Sequence, residues 1–296
     1  MMGLKEHKVL RTLVSTAALA EHLGDPDWVV LDCRHDLLNP EAGRADYHKS
    51  HMPGARFMDL DRDLAGPKTG ANGRHPLPDA AAFAAKLGEA GIGAAIQVIA
   101  YDSQDGANAA RLWWMLRWLG HESVAVLDGG WPKWIRENRP CTAEMPRPRA
   151  TAFARGTDGN GATLGGWVDS AYVLSHLEAQ DMLIVDARSA ERFRGDAEPI
   201  DPVAGRIPGA VCRFFRHNLD AQGCFRSAAE LRAEFEAILG AHRPEHAVNS
   251  CGSGVSACHN LLAMEIAGLA GSRLYPGSWS EWCADPARPV ERGARG

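Results

Sequence analysis

Apolar residues along the chain gather into two kinds of run. Six are short, the first four of them rich in β-branched residues: VVLDC (29–33), VIAYD (98–102), VAVLD (124–128), LIVDA (183–187), AVNSC (247–251) and SRLYP (272–276). Unbroken runs of that length predict strands covered on both faces, as in a parallel sheet. Between them lie longer stretches with helical spacing, such as ARLWWMLRWLG (110–120) and CHNLLAMEIAG (258–268). Strands alternating with helices predict an α/β architecture. Trp113, Trp114 and Trp118 fall at spacings that place them in a core or at a domain interface.

The pattern then repeats. VSTAALAEHLGDPDWVVLDCRH from Val14 recurs as VDSAYVLSHLEAQDMLIVDARS from Val168, each a polar start, a helix, a turn and a buried strand ending in Asp32 or Asp186. HMPGA (51–55) matches RIPGA (206–210), and LDGGWPKW (127–134) matches YPGSWSEW (275–282), in the same order. Two domains of one fold follow, with boundaries expected at 1–140 and 166–296. The Pro-, Arg-, Gly- and Ala-rich segment 141–165 is the expected linker. Asp32 and Asp186 are expected to tie down loops in their domains.

Composition narrows the function classes. The chain has 296 residues, 45% hydrophobic and 23% charged, enough for two ordinary domains. Its net charge of −5 is spread without basic runs, which argues against a nucleic-acid partner. No apolar stretch reaches the length of a signal peptide or of a membrane span, so a cytoplasmic location and no membrane partner are expected. Seven cysteines without a Cys-x-x-Cys pair suggest neither a disulfide framework nor a zinc ribbon, and most are expected to be reduced and buried.

The strongest chemical signal is AVNSCGSGVSACHNLLAMEIAG (247–268), a strand running into Cys251, a glycine-bearing loop and a helix. Gly252 and Gly254 let successive N–H groups curl inward at a helix N-terminus, with Val255 and Ser256 completing the loop, so that an anion or a thiolate is cradled. Cys251 is thus the expected nucleophile. Cys258, on the following helix, reads as core.

The tandem repeat, the two Pro-Gly-Ala turns and Cys-Gly-Ser-Gly-Val-Ser resemble the rhodanese superfamily, specifically the thiosulfate/3-mercaptopyruvate sulfurtransferases, almost end to end. The resemblance implies two tandem rhodanese-like domains, each a mostly parallel sheet flanked by helices. It further implies a nucleophile in the second domain only, because Asp102 in VIAYDSQDG stands where the first domain would carry one. The related phosphatases need an arginine six residues after the cysteine, where this chain has Ala257.

The uncharged loop after Cys251 resembles that of 3-mercaptopyruvate enzymes, whereas thiosulfate enzymes resemble Cys-Arg-Lys-Gly. Substrate binding by an arginine in SAERFRG is carried over onto Arg192, whose planar fork suits a carboxylate. A second arginine of a Glu-Pro-Arg stretch is replaced here by Ile200, leaving Arg206 or Arg194 as its nearest substitutes. Proton handling is carried over onto Ser253, with His75 and Asp61 from the first domain. The expected activity moves sulfur from 3-mercaptopyruvate through a Cys251 persulfide to cyanide, a thiol or thioredoxin, without metal or organic cofactor. The alternatives are a thiosulfate:cyanide sulfurtransferase and a persulfide-carrier module serving a protein partner.

Overall fold

The computed structural model describes residues 9–156, 165–179 and 181–293. The first half runs β1 (Leu13–Val14), α1 (Thr16–Glu21), β2 (Trp28–Asp32), α2 (Ala42–Lys49), β3 (Arg56–Phe57), α3 (Ala80–Glu89), β4 (Gln97–Tyr101), α4 (Ala107–Trp118), β5 (Val124–Leu127) and α5 (Gly130–Arg136). The second runs α6 (Ser170–Ala179), β6 (Leu183–Asp186), α7 (Ala190–Arg194), β7 (Val211–Cys212), α8 (Ala228–Leu239), β8 (Ala247–Ser250), α9 (Ser256–Ile266), β9 (Arg273–Leu274) and α10 (Ser278–Trp282). Each half holds one sheet, in the order β1-β5-β4-β2-β3 and β7-β6-β8-β9, with every pairing of these strands parallel. A parallel bridge between Trp167 and Leu274 stands where β1 pairs with β5, so the two topologies coincide.

All six apolar runs form strands, and each sheet is covered by helices, as their unbroken hydrophobicity requires. The matched aspartates do the same work twice. Asp32 accepts from the Arg34 guanidinium, which donates to Ser50 O at 2.7 Å, just before the first Pro-Gly-Ala turn. Asp186 holds Arg188, which donates to Gly205 O at 2.8 Å before the second.

Every residue of α4 is buried, because its inner face covers the first sheet and its outer face packs on α9 of the other half. One core cluster therefore runs through both halves, joining Leu112, Trp113 and Trp114 to Ala257, Leu261 and Leu262. Core and domain interface are the same place for the tryptophans. Of the expected linker, residues 157–164 lie outside the described residues. The part before them is pinned along the first half, with Thr151 N donating to Gly88 O and Gly156 N to Leu119 O, both at 2.9 Å.

Candidate active site

Cys251 leaves the end of β8 and lies buried, 2% exposed, at the N-terminal end of α9. The Gly254 N–H donates to its Sγ at 3.1 Å, a contact worth more to a thiolate than to a thiol. Gly254 has φ +75, and a Cβ there would sit 2.3 Å from Pro276 O, so only glycine closes this turn. From behind, α10 braces the loop: Trp279 N donates to Cys251 O at 3.0 Å and Ser280 N to Gly252 O at 2.9 Å. The Cys251 N–H itself donates to Ser278 Oγ at 3.0 Å. Seven free cysteines are present, four of them buried. Burial pushes the Cys258 thiol up to about 12 and that of Cys212 to about 11, so neither competes as a nucleophile.

The cysteine opens into a cavity of about 320 Å³ lined by both halves of the chain. Gly252, Ser253, Val255 and Ser256 form its wall, while Gly254 lies behind the sulfur and shapes the loop. From the first half comes His75, whose Nδ1 lies 2.8 Å from Ser253 Oγ. Its Nε2 faces Asp61 Oδ1 at 3.6 Å, an electrostatic contact longer than a hydrogen bond. Burial drives the His75 pKa down to about 3 in spite of Asp61, so the ring is neutral near pH 7. Burial works against the Asp61 charge, yet the Lys68 ammonium at 2.7 Å, with His75, holds that carboxyl below its ordinary value. The three residues carried over by resemblance thus converge, and the neutral ring can accept a hydrogen bond at Nδ1 from the Ser253 hydroxyl.

His35, which sequence reasoning did not single out, lies on the other side of Asp61 with Nε2 at 3.9 Å and stands edge-to-face with His75. His35, Asp61 and His75 are the one group of three among the described residues spaced so that a metal ion could fit.

Arg192 borders the cavity, while its Nε and Nη2 are held by Glu198 and its Nη2 also by Asp201 at 3.1 Å. Ile200 lies on the wall near it. Neither substitute expected from sequence reaches this place. Arg206 is fully buried and turned to Glu291 and Gly293 O, and Arg194 pairs with Asp196. Arg74 does line the cavity, and its guanidinium donates to Asp201. Beneath the loop, the fully buried Arg111 of α4 donates to Gly254 O at 3.2 Å and to His75 O at 3.1 Å, locking the cysteine loop to the histidine loop. Burial pushes the Arg111 guanidinium below its ordinary value, an effect that Cys258 and Cys251 beside it only partly offset.

The first half shows the same cradle already filled. Asp102, at the end of β4, accepts through Oδ1 from Gln104 N and Gly106 N and through Oδ2 from Asn108 N and Ala109 N, at 2.8–3.0 Å. Trp131 N donates to Asp102 O at 2.9 Å, just as Trp279 N does to Cys251 O.

The profile of the rhodanese-like domain matches residues 15–137 and 169–285. A Pseudomonas aeruginosa protein named "Probable 3-mercaptopyruvate sulfurtransferase" is 45% identical over 283 residues, covering 95% of this chain and 98% of that one. Bovine thiosulfate sulfurtransferase is 36% identical, covering 98% and 99%. The crystal structure of SseA from Escherichia coli, described as showing the rhodanese fold of 3-mercaptopyruvate sulfurtransferases, superposes with a TM-score of 0.75 at 30% identity, covering 91% of this chain and 99% of that one. With two copies of the domain, a cradled cysteine in the second and a carboxylate filling the first, the chain belongs to the rhodanese family.

Proposed function

We propose that this protein is a sulfurtransferase that takes its sulfur from 3-mercaptopyruvate. The observation that carries the reading is the cavity itself, where the Cys251 sulfur, the Ser253–His75 contact and the Arg192 guanidinium meet around a loop without charged side chains. The P. aeruginosa relative's name supports the same donor.

In the proposed cycle the Cys251 thiolate attacks the donor sulfur, forming the S–S bond as the donor's C–S bond breaks. The electron pair of that bond leaves on carbon as the enolate of pyruvate, which takes a proton from Ser253. A proton from solvent, relayed through the His75 ring beside Asp61, then restores the Ser253 hydroxyl. The sulfur keeps its own hydrogen, so the enzyme is left as a Cys251 persulfide. An acceptor nucleophile, such as cyanide, a thiol or thioredoxin, then attacks the outer sulfur and the thiolate returns. The chemistry uses only side chains and backbone of this chain. Among the described residues no helix is long and apolar enough to cross a membrane.

The test is kcat/KM for 3-mercaptopyruvate and for thiosulfate with one acceptor, together with the intact mass after donor treatment. The expected results are a preference for 3-mercaptopyruvate and one added sulfur that Cys251→Ser abolishes. Thiosulfate matching or exceeding 3-mercaptopyruvate would give the second reading, which the name of the bovine relative favours. An undiminished adduct in Cys251→Ser would overturn the nucleophile.

A further inference from the structure

We propose that His35, Asp61 and His75 form a binding site for a divalent transition-metal ion of the zinc type, and that the bound ion withdraws His75 from the proton supply of Ser253 and holds the enzyme off. The site itself stands on geometry, whereas its effect on turnover rests on the proton relay read above.

Three observations carry it. The side chains come from separate loops of the first half, and each offers a ligand atom within 4.8 Å of the other two. His75 Nε2 lies 3.6 Å from Asp61 Oδ1, and His35 Nε2 lies 3.9 Å from Asp61 Oδ2. These gaps are too long for hydrogen bonds. The ligand atoms around a tetrahedral zinc ion, with bonds of about 2.1 Å, stand roughly 3.4 Å apart, so a small inward shift of the side chains seats the ion. Secondly, His35 is 6% exposed and no hydrogen-bond partner reaches its Nε2 among the described residues. A buried ring nitrogen left without a partner is costly, and this one faces the Asp61 carboxylate that would share the ion. Thirdly, the surrounding contacts suit a metal centre. Ser253 Oγ holds His75 Nδ1 at 2.8 Å, which orients the ring and leaves Nε2 as the ligating atom. Lys68 occupies Asp61 Oδ1 at 2.7 Å, but its side chain is 52% exposed and free to swing into water, and no donor holds Oδ2 among the described residues.

Two imidazoles and one carboxylate are the donor set of a zinc-type ion, whereas calcium and magnesium require shells of oxygen. His35 and His75 both line the cavity, so a fourth coordination position opens onto it. Coordination through Nε2 leaves the single proton of the neutral His75 ring on Nδ1, which then donates to Ser253 Oγ instead of accepting from its hydroxyl. No proton enters or leaves the ring in the exchange. With both ring nitrogens engaged, the path from solvent to Ser253 is cut, and the hydroxyl that protonates the enolate is not renewed. No ligand comes from the cysteine loop, so removing the ion restores the enzyme.

The experiment separates binding from turnover. For binding, the full-length Cys251→Ser protein is titrated with Co2+ and then with Zn2+. One Co2+ should bind with visible ligand-field bands and no sulfur-to-metal charge-transfer band, and Zn2+ should displace it. Adding His35→Gln, or in a second protein Asp61→Asn, should weaken both ions by roughly tenfold or more. For turnover, 3-mercaptopyruvate is supplied at free Zn2+ fixed by a metal buffer, and each protein is compared with its own zinc-free rate. The free Zn2+ that halves the rate should rise by roughly tenfold or more from wild type to His35→Gln, and chelation should restore the wild-type rate. Co2+ affinity unmoved by both substitutions, or a charge-transfer band marking ligation by another cysteine, would overturn the site. A half-inhibiting concentration unmoved in His35→Gln would put the block at Cys251 and overturn the regulatory effect. Co2+ binding that depends on His35, with turnover indifferent to saturating Zn2+, would keep the site and overturn the proton relay instead.

Discussion

Ser278 holds φ +52, a conformation that costs a non-glycine residue about 1–2 kcal/mol. The matched position in the first half is Gly130, at φ +53, where the cost vanishes. The serine is kept at the strained place because its hydroxyl accepts the Cys251 N–H. Ser278→Gly should therefore leave stability unchanged or raised by up to about 1 kcal/mol in urea unfolding, while kcat/KM falls as the nucleophile loses its anchor. Arg192→Ala should lower kcat/KM for 3-mercaptopyruvate ten- to a hundredfold, the kinetic equivalent of about 1.5–3 kcal/mol for a charge-assisted contact. A loss below about threefold in a folded variant would show that another group binds the carboxylate. Cys251 was legible from its strand, glycine-bearing loop and helix, whereas Ser253, His75 and Arg192 were placed only through the family resemblance. Arg74, Arg111 and Asp201 were not, since their roles arise only when distant segments meet. A signal for Ser278 did exist in the aligned repeats, where a serine stands against a glycine.

The long buried strands and helices were legible as elements from their apolar runs, whereas β1, β3 and β7 were missed. Each has two residues, too few for any periodicity, and β3 and β7 close their sheets on one edge. The pairing of α4 with α9 has the larger functional effect, because α9 presents the cradle and α4 carries Arg111 beneath it. Trp114→Ala should cost about 3–5 kcal/mol in urea unfolding, the range for emptying a fully buried large aromatic. A fragment beginning near Gly165 should lose turnover, since it lacks His75 and Asp61 and bares the apolar face of α9. Full activity in that fragment would reduce the first half to a scaffold.

For the molecule as a whole, buried neutral histidines set the response to acid. Burial pushes both His75 and His259 down to about 3 from an ordinary 6.5. Between those values the unfolded chain binds a proton at each position that the native protein refuses. Stability is thus complete above pH 6.5 and falls as the pH drops, by about 1.4 kcal/mol per pH unit for each histidine. His259→Gln should remove one such increment, read as a shallower decline of the urea midpoint between pH 7 and 5.5. The difference between the two proteins cancels the contributions of carboxylates. Equal slopes would show that His259 is protonated in the native state. The same neutrality means that His75 should add no acid limb to kcat/KM between pH 5 and 8. Such whole-molecule behaviour was beyond sequence reading, which could align the halves but not the depth at which each ring lies.

The Asp102 cradle makes the protein its own reference compound for amide exchange. One loop is permanently saturated by a tethered carboxylate, while its twin holds only a sulfur, so their N–H groups form a matched pair differing in occupancy. Deuterium uptake at residues 104–109 should then be slow in every state. Uptake at 252–257 should be faster in the reduced enzyme and slow down once the outer sulfur is in place, with the first loop calibrating how much protection a full cradle confers.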